Sequence, residues 1–395
     1  MPKKAQKEPG SETPQKAPAQ VIEVGVAALR EALELVGPAV PRKTTQPVVR
    51  NVRLGEGQVV ATDLEMAVAI ALPGAEGQVL LPHGEALEVL RYAPGHLAAR
   101  ITSENGTVSI VVGDMESHFK VPGPEEFPPV AFVGPDQLEH EGVLEGDALV
   151  RALAAVLPSA ATDSARPVLC GVCLTLGDEV KVVCADGYTL AWEKLPGRLP
   201  GEGNILLSAA AVRLLGHLWK KAAAPDLSAA TNPAQVAVAK RLIRLQWDKQ
   251  QLQMRFGRVV LLSRLIQGTF PDFNQLIPTD LAASVTVDAG DMLRALQQVK
   301  GRAKEGNGIV RLSWDGDRLQ VSAQAEGIGD TTVPLRAHST APGKTAVNIT
   351  YLMAYFKGTE GSVTMTLAGT EGAPITFAHR GTPHIIMMPM SVKDK

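Results

Sequence analysis

The chain has 395 residues, 45% of them hydrophobic and 20% charged; it is too long for one ordinary core, which suggests two or three domains, and too apolar to be mainly disordered. Aromatics make up only 4%, against 37 Gly and 28 Pro, so Val, Leu, Ile and Ala must fill the cores, and many turns favour multi-stranded sheet over a helical bundle. The balance of 39 Lys+Arg against 41 Asp+Glu, a net charge of -2, excludes a protein that coats nucleic acid by bulk positive charge.

Residues 1–20 carry Lys3, Lys4, Lys7 and Lys16 but no apolar run; they read as a disordered tail, not a secretory signal. Apolar residues at helical spacing predict a helix over 26–36. The turn Gly55-Glu56-Gly57 then introduces a strand over 58–61 that runs into Thr62-Asp63-Leu64-Glu65, and a second helix is predicted over 83–92. No apolar run approaches the roughly 18 residues that span a bilayer, so the chain reads as soluble and cytoplasmic. Pro and acidic residues at Gly134-Pro135-Asp136 and 139–141 place a boundary near 140.

The next helix is predicted over 147–157. Cys170-Gly171-Val172-Cys173 is a CxxC, but 168–176 reads as a strand, where residues three apart face opposite sides. With no second CxxC and no nearby His, core cysteines are expected rather than zinc ligands. Together with Cys184 these three thiols are too few for a disulfide framework, and point to a reducing compartment. Gly177-Asp178 precedes a strand over 181–184 that enters Ala185-Asp186-Gly187-Tyr188, and a helix follows over 208–219. A second boundary is expected at Pro278-Thr279-Asp280. The last stretch has helices over 291–300 and 348–357, with Asp315-Gly316-Asp317 opening a strand over 318–322 into Ala323-Gln324.

The helices therefore form three pairs. Their first members start 121 and 144 residues apart, and the second member follows about 60 residues after each. Each copy has a turn and a β-hairpin between its helices, which reads as three tandem α+β domains. Chance recurrence of two helices and several strands is the alternative. Asp63 and Asp186 hold equivalent positions after a strand, as expected of turn-capping residues rather than a catalytic pair. Eight scattered histidines and the lack of HExxH, GxSxG or phosphate-loop motifs give no sign of an enzyme, metal or cofactor.

Several words of the sequence carry a resemblance: Ala61-Thr62-Asp63-Leu64-Glu65-Met66, Ala185-Asp186-Gly187-Tyr188-Thr189-Leu190-Ala191, Gly268-Thr269-Phe270-Pro271-Asp272-Phe273, Met388-Pro389-Met390, and Glu125-Glu126-Phe127-Pro128. In their order and spacing over 21–392 the chain resembles the bacterial DNA sliding clamp, the beta subunit of the replicative DNA polymerase. The resemblance implies an α+β fold of three tandem clamp-type domains (21–140, 141–278 and 279–392, with a tail at 393–395), each with two helices packed on antiparallel sheets. It also implies two chains closing head to tail into a ring around duplex DNA, with the replicative polymerase, a clamp loader and other clamp-binding proteins as partners. A ring holds DNA by topology, so the charge of -2 is no obstacle. A protein-binding scaffold of the same fold without DNA encirclement is the alternative.

Carried over position by position, the resemblance implies a partner-peptide pocket made of Leu169, Ala185, Gly187, Tyr188, Leu190, Pro271, Leu276, Thr350, Met388, Pro389 and Met390. Gly187 would let a backbone approach, and Leu and Met would form a deformable floor. Ser391 stands where the family usually has Arg, and Lys393-Asp394-Lys395 runs past the usual end. For sequence-independent DNA contact the candidates are Lys43, Arg91, Arg166, Arg213, Lys220 and Lys221. Phe119 is the candidate apolar anchor of the dimer interface.

Overall fold

The computed structural model describes residues 20–132, 139–163, 165–222, 241–278, 281–368, 372–379 and 384–391. The expected tail (all but Gln20), Gly134-Pro135-Asp136, Thr279-Asp280 and Lys393-Asp394-Lys395 lie outside the described residues. The chain divides into two compact units, Met1–Ala131 and Phe132–Lys395.

The first unit runs β1 (Gln20–Gly25), α1 (Val26–Val36), β2 (Asn51–Gly55), β3 (Gln58–Thr62), β4 (Met66–Ala71), β5 (Gln78–Pro82), α2 (His83–Arg91), β6 (Ala98–Glu104), β7 (Thr107–Val112) and β8 (Met115–Lys120). One antiparallel sheet has the order β1-β6-β7-β8, and the strands β5-β2-β3-β4 lie side by side in a second. Val26, Leu29, Ala32, Leu33 and Val36, the helical-spacing residues of α1, are all buried, as an amphipathic surface helix requires. The two helices are also tied through their ends. The Arg30 guanidinium donates to the Leu90 and Arg91 carbonyls at 3.3 and 3.2 Å, capping the C-terminus of α2 with a positive charge. His83 Nε2 lies 2.9 Å from the Leu33 carbonyl.

The second unit holds the same order of elements twice, the second time with one additional short strand (His338–Ser339) between the helices. Its first half is β9 (His140–Glu145), α3 (Gly146–Val156), β10 (Gly171–Gly177), β11 (Lys181–Ala185), β12 (Thr189–Lys194), β13 (Leu199–Ser208), α4 (Ala209–Ala222), β14 (Leu242–Trp247), β15 (Gln251–Phe256) and β16 (Val259–Arg264). Its second half is β17 (Leu281–Asp288), α5 (Ala289–Glu305), β18 (Ile309–Asp315), β19 (Arg318–Ala325), β20 (Gly329–Arg336), β21 (His338–Ser339), β22 (Gly343–Asn348), α6 (Ile349–Phe356), β23 (Ser362–Ala368), β24 (Ile375–His379) and β25 (His384–Met387). The fold is thus α+β, with a helix pair on antiparallel sheets occurring three times. One nine-stranded sheet, β13-β10-β11-β12-β25-β24-β23-β17-β21, joins the two halves. Its seam is the antiparallel pair β12–β25, in which Leu190 faces Ile386 and Trp192 faces His384.

Three local expectations are corrected. Residues 168–176 are not one strand: Pro167–Leu169 forms a 3-10 turn and β10 begins at Gly171. Cys170 therefore sits before the strand, its thiol donating to the Asp163 and Arg166 carbonyls at 3.1 and 3.5 Å, because Pro167 sets the turn. Helix α5 runs well past 300, to Glu305, and stops at Gly306, where a Cβ would lie 1.8 Å from the Gln324 carbonyl oxygen. The strand expected over 318–322 does not stop at Ser322: Ala323 and Ala325 are buried, so the inward alternation carries β19 on to Ala325.

Asp63 and Asp186 cap their turns. Asp63 Oδ1 accepts from the Glu65 and Met66 amides at 3.0 and 2.7 Å, and Asp186 Oδ1 from those of Tyr188 and Thr189 at 2.8 and 2.7 Å. Asp248 repeats the motif with Gln250 and Gln251.

A polar bolt fixes α3 to α4 and the start of β14. Trp219 Nε1 donates to Asp147 Oδ1 at 2.9 Å, and Arg241 Nε to Oδ2 at 3.2 Å. The guanidinium also lies 4.9 Å from the Trp219 ring centre. A side chain at Gly146 would overlap that ring. Burial raises the Asp147 carboxyl, but the hydrogen bonds from Trp219 and Arg241 and the Arg241 charge outweigh it and hold the group below its ordinary 3.8. Such a group stabilises the fold above its unfolded pKa, and the contribution is lost as pH falls through the folded one. Because the carboxylate is half exposed, Asp147→Asn should cost only about 1 kcal/mol at neutral pH. The gap in melting temperature between the two proteins should close below pH 3.8. A gap that persists at strongly acidic pH would show that the charge is not the cause.

Candidate partner-binding pocket

The turn between β11 and β12 is held by its own backbone, with Asp186 N donating to the Thr189 carbonyl at 3.2 Å. Gly187 has φ +94, a conformation other residues avoid, and a Cβ there would meet the Arg166 guanidinium at 2.9 Å. The turn presents Tyr188 outward, 57% exposed. Its carbonyl accepts from the Met388 amide at 2.8 Å, and the Met390 amide donates to the Ala346 carbonyl at 2.7 Å, so the Met388-Pro389-Met390 segment is fixed at both ends.

Beneath the turn, Leu169 and Leu190 are buried in one cluster with Cys173, Phe270, Phe273 and Ile386, and Ala185 packs against it. Pro271 is exposed between the two buried phenylalanines. Leu276, half exposed, ends a 3-10 turn (Asn274–Leu276), its amide donating to the Phe273 carbonyl at 3.0 Å. Thr350 is exposed on the first turn of α6, where the Asn348 side chain caps its amide at 2.8 Å. Exposed Tyr188, Leu276 and Met388 over a dry floor give an apolar surface that water solvates poorly.

Sequence reasoning missed Tyr351. Its ring stacks on Tyr188 with centroids 6.2 Å apart and planes at 26°, and its hydroxyl is hydrogen-bonded to the Asp186 carboxylate. Burial, with Asp186 and Tyr188 adding, pushes that hydroxyl up to about 12, so it remains a donor at neutral pH. Its signal was adjacency to Thr350 on the same helix turn. Arg166, expected on a DNA-facing loop, stands at Gly187 on the rim of this surface.

Of the other basic candidates, Lys43 is exposed in the loop before the 3-10 turn Pro47–Arg50, and Arg91 is the exposed last residue of α2. Arg213 and Lys220 are exposed on α4, seven residues apart and hence on one face, with exposed Lys221 beside them. Among the described residues none of these forms an ion pair. Burial, with Lys221 adding, lowers the pKa of His217, so it adds no charge to that face at neutral pH. The three cysteines are free; burial pushes Cys173 up to about 12 and Cys184 higher still. Among the described residues no group of three His, Cys, Asp or Glu could hold a metal ion, and no helix is long and apolar enough to cross a membrane.

Helix pairs on antiparallel sheets, repeated three times, with an apolar surface at the seam of two repeats, make a clamp-type fold. The chain resembles the bacterial DNA sliding clamp in sequence and in fold. It is 24% identical over 382 residues to the beta sliding clamp of Synechococcus elongatus, covering 93% of this chain and 98% of that one. It is 24% identical over 349 residues to that of Staphylococcus epidermidis, covering 83% and 86%. The structure of the DNA polymerase III beta subunit from Pseudomonas aeruginosa superimposes with a TM-score of 0.81 at 19% identity, over 94% of this chain and all of that one. A Bartonella birtlesii clamp bound to griselimycin gives 0.80 at 20% identity over 95% and 100%. No family model matches the chain.

Proposed function

We propose that the protein is a processivity clamp: two copies close into a ring around duplex DNA, slide along it and tether the replicative polymerase and other partners. The observation that carries this reading is the clamp fold over 94% of the chain, with curated clamps matching along nearly the same length. Each copy would comprise domains at 21–140, 141–278 and 279–392. The surface built on Leu169, Ala185, Gly187, Tyr188, Leu190, Pro271, Leu276, Thr350 and Met388-Pro389-Met390, with Tyr351 added, would take the partner's peptide. Arg166 moves from the DNA-contact set to the rim of that surface, leaving Lys43, Arg91, Arg213, Lys220 and Lys221 to touch phosphate without reading bases. The work is mechanical rather than catalytic and belongs in the cytoplasm, and ring opening falls to a separate loader.

The test is retention on DNA. Loaded protein should stay on a nicked circular plasmid in high salt, where phosphate contacts are screened, and leave when the plasmid is cut. Equal loss from circular and linear DNA would reject encirclement and leave a protein-binding scaffold.

A further inference from the structure

A groove of about 1090 Å³ opens in the first unit, between the loop after α1, the start of α2 and the end of β8. Its charged side chains are Arg42, Arg50, Lys120 and Glu85, a surplus of two positive charges. None of the three cations has a carboxylate within ion-pair distance among the described residues, and the Arg50 guanidinium reaches only the Arg42 carbonyl, at 3.4 Å. Three unpaired cations around one concavity stand out in a chain whose charges nearly balance. Such a field draws an anion.

The walls limit which anion fits. Five prolines line the groove, surfaces without an N–H to donate, so a β-ladder with an incoming strand is disfavoured. No Phe, Tyr or Trp is present to stack a nucleic-acid base, and the one imidazole, His83, is already engaged with the Leu33 carbonyl. What remains is charge pairing by Arg and Lys along an apolar proline wall, which suits an extended acidic peptide.

We propose that this groove docks an acidic, extended segment of a partner protein, independently of the surface around Tyr188. The probes are two fluorescent ligands of matched charge, an Asp/Glu-rich peptide of about eight residues, roughly 27 Å when extended, and an oligothymidylate, each titrated into the full-length protein by anisotropy. The peptide is expected to bind with one-to-one stoichiometry and more tightly than the oligonucleotide. Arg50→Glu with Lys120→Glu should weaken it at least about tenfold, about 1.4 kcal/mol, and the milder Arg42→Ala should weaken it less without altering the melting temperature. Tyr188→Ala should change nothing, so this result stands or falls apart from the clamp reading. Peptide affinity unaffected by the charge reversals would overturn the proposal, as would tighter binding of the oligonucleotide, which would make the occupant a nucleic-acid strand.

Discussion

Tyr188→Ala is expected to weaken a polymerase-derived peptide by about thirtyfold, near 2 kcal/mol, the scale of an aromatic hot spot. The side chain is 57% exposed, yet it is not loose. Asp186 holds its amide, Met388 takes its carbonyl, and Tyr351 stacks on its ring. An aromatic surface fixed before binding loses little conformational entropy when a partner covers it. Tyr351→Phe separates the two supports, since it keeps the stack and removes only the hydrogen bond to Asp186. A loss of about threefold is expected from that change, within the range of a single hydrogen bond. In a Tyr188→Ala background Tyr351→Phe should then have little further effect, because its action runs through the missing ring. Calorimetric titration of the peptide into the four proteins measures this. Additive losses would mean that Tyr351 contacts the peptide on its own account, and unchanged affinity in Tyr188→Ala would move the partner site elsewhere.

How much of this was legible in sequence depends on the range of the interaction. Helix α1 was readable because Val26, Leu29, Ala32, Leu33 and Val36 declare one buried face locally. The Asp63 and Asp186 turns were readable because the carboxylate satisfies amides only two and three residues on. The length of α5 was hidden: Lys300, Arg302 and Lys304 look like a solvated end, while Val299 and Ala303 on the other side are still buried. The seam β12–β25 joins residues almost two hundred positions apart, and nothing local to either strand says which edge it will meet. For the same reason the Tyr188–Tyr351 stack and the cation cluster of Arg42, Arg50 and Lys120 have no signature in a linear reading. The pocket list came from resemblance, and geometry adds what resemblance did not carry over: an aromatic partner for Tyr188 and a guanidinium against Gly187.

The proposed ring makes its largest prediction at a strand edge. Strand β8 is the last of its sheet, and its residues alternate between half-buried and exposed. Met115, Ser117 and Phe119 pair across the ladder with Val112, Ile110 and Val108, all buried, so they share the core face and extend the core to a border that no further strand finishes among the described residues. Strand β20 ends another sheet in the same manner, with half-buried Val333 and Leu335 packed on the core of the second unit. Pro334 beside them is tolerable because the strand is an edge. Two open edges, each with an incompletely covered apolar row, invite pairing between chains. Joining β8 of one copy to β20 of its mate, twice about a two-fold axis, would close the ring and leave neither edge free. Phe119→Asp would then bury a carboxylate without a partner in that junction, a penalty of several kcal/mol. Light scattering should report the chain mass of 41.8 kDa for the variant and about twice that for the parent. Retention on circular plasmid should vanish, while the peptide surface around Tyr188, built within the second unit, keeps its affinity. A Phe119→Asp protein that still runs at twice the chain mass would show that the copies meet through another face.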